Sequence, residues 1–220
     1  MTLQATLAPL LRSPQLPEIV AALQARIREE SAARRRFYEE MTEEQKVEFI
    51  EGEVVLHSSA RNVHLVVRSH IEKLLHTYVA IHGLGAVRGE KCLCVFPRND
   101  YEPDVVFFGR AKAAQLEPDT MKFPVRDLAV EIPSESTAAR DRGVKFEDCE
   151  AHGVAEYWLV DAEAEWVEQY LLRGGRFELA LKSGTGEIAS PAIPGLRLPL
   201  RAFFDAAENL ATLRMLMASA

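Results

Sequence analysis

The stretch from residue 128 to residue 161 constrains the fold more than any other part of the chain. An apolar run at 128–132 is followed by a helical stretch between Ser134 and Gly153, which Ser136 or Thr137 is placed to cap, and then by a second apolar run at 157–161. A strand–helix–strand unit of this kind implies a mixed sheet flanked by helices. Further strand signals at 91–96, 105–108, 167–172 and 177–181 supply the rest of such a sheet, and Arg173-Gly174-Gly175-Arg176 reads as a hairpin between the last two. Upstream, Gly52 punctuates two short strands within 46–56.

The remaining segments read as helices. Ile19, Val20, Leu23 and Ile27 recur at helical spacing from Pro17 to about Tyr38, while the first sixteen residues, with Pro9 and Pro14, read as a loose arm. A second helix is expected at 64–80, with Val67, Ile71, Leu74, Leu75 and Tyr78 as its stripe and Gly83 and Gly85 at its end. Leu210, Leu213 and Leu216 suggest a last helix. The expected organisation is an arm and helix over 1–38, an α/β domain over 39–205 and a C-terminal helix over 206–220. The block Arg34-Arg35-Arg36 reads as a solvated face.

The longest apolar runs are far too short to span a bilayer, and the first twelve residues carry no basic start before their apolar positions, so a cytoplasmic location is expected. Three cysteines make no disulfide framework, and no His/Cys pair completes a zinc set. A net charge of −7 sits awkwardly with nucleic-acid binding, although binding is local and charge is an average over the surface.

The informative polar residues lie at strand ends. Asp104 follows Pro103 and precedes the apolar run Val-Val-Phe-Phe, and Glu131 closes the run Leu-Ala-Val. Two carboxylates brought together at adjacent strand ends repel, and a divalent cation relieves the repulsion; Mg²⁺ takes one or two carboxylates with waters and phosphate oxygens. Each residue also has a plain reading. Pro-Asp opens turns, a strand-end Glu pairs with an Arg, and His64 sits at a helix start. Lys145 lies four residues after Asp141, as in an ordinary helical ion pair worth about 0.3–0.5 kcal/mol.

Several stretches together resemble the Uma2 family, within the PD-(D/E)XK nuclease superfamily, over roughly residues 37–205. They are Glu48-Phe-Ile-Glu-Gly-Glu-Val-Val, His64, Asn99-Asp-Tyr-Glu-Pro-Asp104-Val, Asp127-Leu-Ala-Val-Glu131-Ile-Pro-Ser134-Glu-Ser-Thr137 and the long block from Asp141 to Asp161. The resemblance implies a restriction-endonuclease-like α/β fold, a mixed β-sheet flanked by helices with an N-terminal helical extension. It implies Asp104 and Glu131 as metal ligands with Glu48 as the upstream acid, and Mg²⁺ (or Mn²⁺) as cofactor. Lys145 stands in for the superfamily lysine, whose usual place two residues after the second carboxylate is Pro133 here. His64, Ser134 and Arg140 are accessory candidates. The chain departs from the family at Ser134-Glu135, where Ser-Pro is usual, and at Ser59, where a proline is common.

The implied function is a metal-dependent endonuclease acting on DNA; the alternatives are a catalytically weak or inactive relative acting as a nucleic-acid or protein-binding module and a purely structural dimerising protein. No membrane contact is expected, a homodimer is, and the N-terminal helix is the natural dimerising element. Lys145→Ala is expected to cut turnover with little loss of stability, and Asp104→Asn to leave folding nearly intact.

Overall fold

Short, unbroken apolar runs, whose side chains point alternately to two covered faces, build the centre of the molecule. The computed structural model describes residues 3–42 and 44–218. Two helices open the chain, α1 (Leu3–Leu11) and α2 (Leu16–Glu40), followed by the hairpin β1 (Val47–Ile50) and β2 (Glu53–Leu56) and the long α3 (Asn62–His82). Then come β3 (Gly85–Gly89), β4 (Leu93–Val95), β5 (Asp100–Tyr101), β6 (Val105–Gly109), α4 (Arg110–Ala113), β7 (Lys122–Phe123) and β8 (Leu128–Glu131). Two short helices, α5 (Ala138–Asp141) and α6 (Val144–Ala151), lead to β9 (Glu156–Asp161), β10 (Trp166–Arg173) and β11 (Arg176–Ser183). The chain closes with β12 (Glu187–Ala189), β13 (Arg197–Pro199), α7 (Arg201–Phe204) and α8 (Ala206–Ala218).

The central sheet has six strands in the order β11-β10-β9-β8-β6-β3. The expected neighbours β6 and β8 pair antiparallel, and β8 and β9, joined through α5 and α6, pair parallel, so the sheet is mixed. Val105, Phe107, Leu128, Val130, Trp158 and Val160 project to one face, where Val67, Ile71, Leu74 and Leu75 of α3 cover them. Val106, Phe108, Ala129, Tyr157 and Leu159 project to the other, against Cys149 of α6 and the partly buried Val144 and Phe146. A strand buried on both sides needs no polar alternation, which is why these runs read as continuously apolar.

A second sheet, β2-β1-β5-β4-β7, packs on the α6 side through Ile50, Cys94, Phe96 and Tyr101. The β1–β2 turn uses Glu51 and Gly52 at φ 53° and 94°, the doubly positive pair that a two-residue hairpin requires. Helix α2 reaches this sheet from Arg26 onward, where the Arg26 guanidinium donates to the Glu51 carbonyl of the β1–β2 turn at 2.7 Å. Phe37 packs on Val47, Phe49 and Leu93, and the Arg34 guanidinium grips the Asp100 carboxylate. Arg34 is therefore a tether, and only Arg35 and Arg36 behave as a solvated face.

Other expectations change. The arm before Pro14 is helical as α1, with Pro9 inside it. The stripe on α2 leaves Val20, Leu23 and Ile27 exposed. The single helix expected between Ser134 and Gly153 is two, broken at Arg142-Gly143, and Thr137 occupies its N-cap without a side-chain cap bond because its hydroxyl accepts from Ser134 N instead. Gly83, at φ 58°, is the left-handed cap of α3, whereas Gly85 begins β3, the edge strand of the central sheet. That strand has little apolar content and carries no signal in the sequence. At φ 144°, a Cβ on Gly85 would sit 2.0 Å from the Phe108 carbonyl oxygen of β6. Gly85→Ala should therefore peel β3 from β6 and lower stability by about 2–4 kcal/mol, read as a fall in the urea midpoint. A midpoint equal to that of the parent would show that the close approach does not exist.

Candidate active site

The register of the central sheet brings the first two acids together. Val105 lies opposite Val130, so one further step of the same ladder sets Asp104 opposite Glu131. The Ile132 N–H donates to Asp104 Oδ2 at 2.8 Å, which fixes that carboxylate at the strand end. Glu131 has the parity of Ala129 and so faces the α6 side. Both carboxylates are buried and line a cleft of about 1570 Å³, whose walls include His57, His64, Ser134, Arg140 and Lys145.

Lys145 is the centre of the arrangement. The break at Gly143 places it in the first turn of α6, with only 2% of its side chain exposed. Its Nζ lies 2.8 Å from Glu48 Oε1, 3.0 Å from Asp141 Oδ1 and 3.5 Å from Glu131 Oε1. The pair with Asp141 is real, but it is neither solvent-facing nor separate from the site. Burial disfavours the ammonium, yet Glu131, Glu48 and Asp141 outweigh it and raise the Lys145 pKa well above the ordinary lysine value.

The acids divide by environment. Burial pushes Glu131 up to about 8; Lys145 opposes that shift, while Asp141, Asp104 and Glu48 reinforce it. Burial acts the same way on Glu48, but Lys145 and His57 reverse it and hold the carboxyl at about 2. Asp104 is also penalised by burial, and His64, Lys46 and the Ile132 N–H together keep it well below the usual carboxylate range. Lys46 Nζ donates to Asp104 Oδ1 at 2.9 Å, and His64 Nε2 stands 3.3 Å from the same oxygen.

The seven sequence candidates thus fall into three groups. Glu48, Glu131 and Lys145 meet directly, and Asp104 joins them across the strand ends with His64 against it. Ser134 and Arg140 line the cleft, where the Ser134 hydroxyl is engaged with Ser136 and Thr137 and Arg140 Nε is buried without a hydrogen-bond partner. Sequence reasoning missed Lys46 and His57 and gave Asp141 no part in the site. Lys46 was open to detection, since it stands two residues before Glu48 and so on the same face of a strand. His57 enters only through the hairpin, whose ladder continues as His57 N–H to the Lys46 carbonyl at 3.1 Å.

Among the described residues no three His, Cys, Asp or Glu side chains close on one point as a ready-made cage. The donor set nevertheless suits a hard cation, which needs only one or two carboxylates. Buried Glu131 Oε1, Glu48 Oε2 and Asp141 Oδ1 accept no hydrogen bond, although lysine or histidine nitrogens approach them. Buried carboxylate oxygens without a hydrogen bond are where such an ion gains most.

The burial of Lys145 corrects the expectation that its loss is harmless to folding. Lys145→Met would leave Glu48, Asp141 and Glu131 without their shared cation, at a cost of about 3–5 kcal/mol at neutral pH. The loss should shrink as pH falls and the carboxylates take up protons, which denaturant titrations at pH 7 and pH 4 would read. Equal stability of variant and parent at pH 7 would contradict the buried cluster.

Comparison with known proteins agrees with this architecture. A crystal structure titled "a putative nuclease belonging to DUF820" from Anabaena variabilis superposes with a TM-score of 0.66 at 19% identity, over 80% of this chain and 96% of that one. This likeness shows a shared fold. No curated protein matches the chain. The family model described as "Uma2: Putative restriction endonuclease" matches residues 4–201. Spanning all the strands and both halves of the carboxylate–lysine cluster, that match shows that the chain belongs to the Uma2 family.

Proposed function

We propose that this protein is a divalent-cation-dependent endonuclease that hydrolyses phosphodiester bonds in DNA, with Mg²⁺ (or Mn²⁺) as the cation. The observation that carries the reading is the opposition of Asp104 and Glu131 across β6 and β8 in the cleft, with Lys145 Nζ 3.5 Å from Glu131. The family's description supports the reaction class.

Asp104 and Glu131, with Glu48 behind them, are the residues that would hold the cation. Bound there, a divalent cation polarises a phosphoryl oxygen and lowers the pKa of a water. The chain's own groups do the rest. Lys46 and His64 hold Asp104 ionised and oriented. Lys145, kept charged by its three carboxylates, offers a fixed positive charge beside the scissile phosphate, where negative charge develops. The Arg140 Nε–H, unpartnered in the cleft wall, is a donor for a phosphate oxygen.

A second reading rests on the same lysines. Lys46 and Lys145 already sit on the acids, so the cluster is also suited to persist without a cation, in a protein that binds nucleic acid or protein and does not cleave. Nicking of supercoiled plasmid separates the two. The endonuclease reading expects relaxed plasmid with Mg²⁺ or Mn²⁺, none with EDTA, and a loss of orders of magnitude in Asp104→Asn. Because Asn keeps an acceptor for Ile132 N–H, that variant should remain folded. Binding without nicking at any metal concentration would leave the second reading standing.

A homodimer belongs to the same proposal. The exposed stripe Val20, Leu23 and Ile27 on α2 supports it. Leu23→Glu should then shift the sedimentation coefficient to that of a monomer; a parent chain already monomeric at tens of micromolar would refute it.

A further inference from the structure

The row of residues that contains the acids continues beyond them. Asp104 stands opposite Glu131, Glu131 pairs with Leu159, Leu159 with Glu168, and Glu168 with Lys182 on β11. Glu131, Leu159, Glu168 and Lys182 face the α6 side of the sheet, and Asp104 stands at the strand end beside them. At about 4.8 Å per strand, the Lys182 backbone lies roughly 19 Å from that of Asp104. That span matches about six base-pair steps along one strand of a duplex, at roughly 3.4 Å each.

At the far end of this row two cations share one anion. Arg142 Nη1 donates to Glu168 Oε2 at 2.6 Å and Lys182 Nζ to Glu168 Oε1 at 2.8 Å, while the Tyr170 hydroxyl donates to Glu168 Oε2 at 3.0 Å. Both cations also lie on the Trp166 ring, Lys182 at 4.3 Å and Arg142 at 5.8 Å from its centroid. Glu168 is buried, whereas the Arg142 and Lys182 side chains remain 43% and 54% exposed. Two half-exposed cations on one buried carboxylate give this cluster of three a net charge of plus one. Arg142 and Trp166 line the catalytic cleft. Of the acids on the same cleft wall, Glu163 pairs with Arg61, and Asp161 Oδ1 is turned to the Glu163 and Ala164 N–H groups.

We propose that Arg142 and Lys182, braced by Glu168 and the Trp166 ring, form a phosphate-binding track that continues the cleft across the sheet and receives the DNA backbone to one side of the cut. The proposal rests on the endonuclease reading for the position of the cut. It accounts for how a chain of net charge −7 engages a polyanion, since the positive charge is placed along one line. A contact of this kind carries no sequence information and sets the register of the duplex.

The test is fluorescence anisotropy of a labelled duplex oligonucleotide with the full chain in EDTA, across a series of NaCl concentrations. Arg142→Gln and Lys182→Gln keep a polar stem on Trp166 and a donor for Glu168 but remove the charge. Each should weaken binding and reduce the slope of log K against log salt by about 1, and the double variant by about 2. Arg173→Gln, at the other end of β10, should leave the slope unchanged. In the parent chain, bound duplex should protect Lys182 from acetylation, read by mass spectrometry, so the result does not depend on how the variants fold. Unchanged slopes, an unprotected Lys182, or a parent chain that does not bind duplex would each overturn the track. Binding with the expected slopes but no metal-dependent nicking would overturn the endonuclease reading and leave the track in place.

Discussion

One buried ammonium group joins the parts of this molecule. Lys145 Nζ meets Glu48 from the second sheet, Glu131 from the central sheet and Asp141 from α5, with almost no exposure to solvent. Without it, three buried carboxylates from three elements would converge unpaired, and their repulsion would push the second sheet from the first. With it, charge balance becomes a structural constraint that positions β1, β8 and the α5–α6 turn together. The arrangement is a costly way to hold a fold, because apolar residues of similar volume pack as well without the desolvation penalty. Stability alone therefore does not account for the cluster.

The environment also separates acids that are identical on paper. Glu48 and Glu131 share the same lysine, yet one is held at about 2 and the other is pushed up to about 8. The difference lies in what else touches them. Glu48 has His57 beside it and accepts the Glu102 N–H, whereas Glu131 faces Asp141, Asp104 and Glu48 with an oxygen that accepts no hydrogen bond.

The centre of the fold was legible because burial on both faces writes itself as unbroken apolar runs. The runs at 105–108, 128–132 and 157–161 emerge as three adjacent strands, and their ends carry Asp104 and Glu131 as expected. Elements held mainly by backbone pairing left no such mark. The strand β3, with Gly85, Arg88 and Gly89 among its five residues, and the two-residue strands β5 and β7 have too little apolar content to be seen. The site was legible only as far as strand parity and family likeness reached. His57 joins it through hairpin pairing, and Lys46 through a strand start masked by polar neighbours. The α2 stripe shows the opposite error, since helical periodicity reports an apolar face without saying whether the same chain covers it.

The position of the lysine follows from the break between α5 and α6. A lysine two residues beyond Glu131 would project from the strand on the same face, but that position is Pro133, and the chain turns away after Ile132. An unbroken helix from Thr137 would run its axis straight past the strand end. At Gly143 the backbone instead adopts φ −112° and ψ −111°, and a Cβ there would meet the Ala139 carbonyl oxygen at 2.7 Å. The axis therefore restarts, and α6 begins with Lys145 in its first turn, directed at Glu48 and Glu131. The same break places Arg142 outward at the cleft wall, one residue from Asp141, which faces inward to the lysine. A single glycine thus divides the segment's cations, Lys145 toward the buried acids and Arg142 toward the cleft wall.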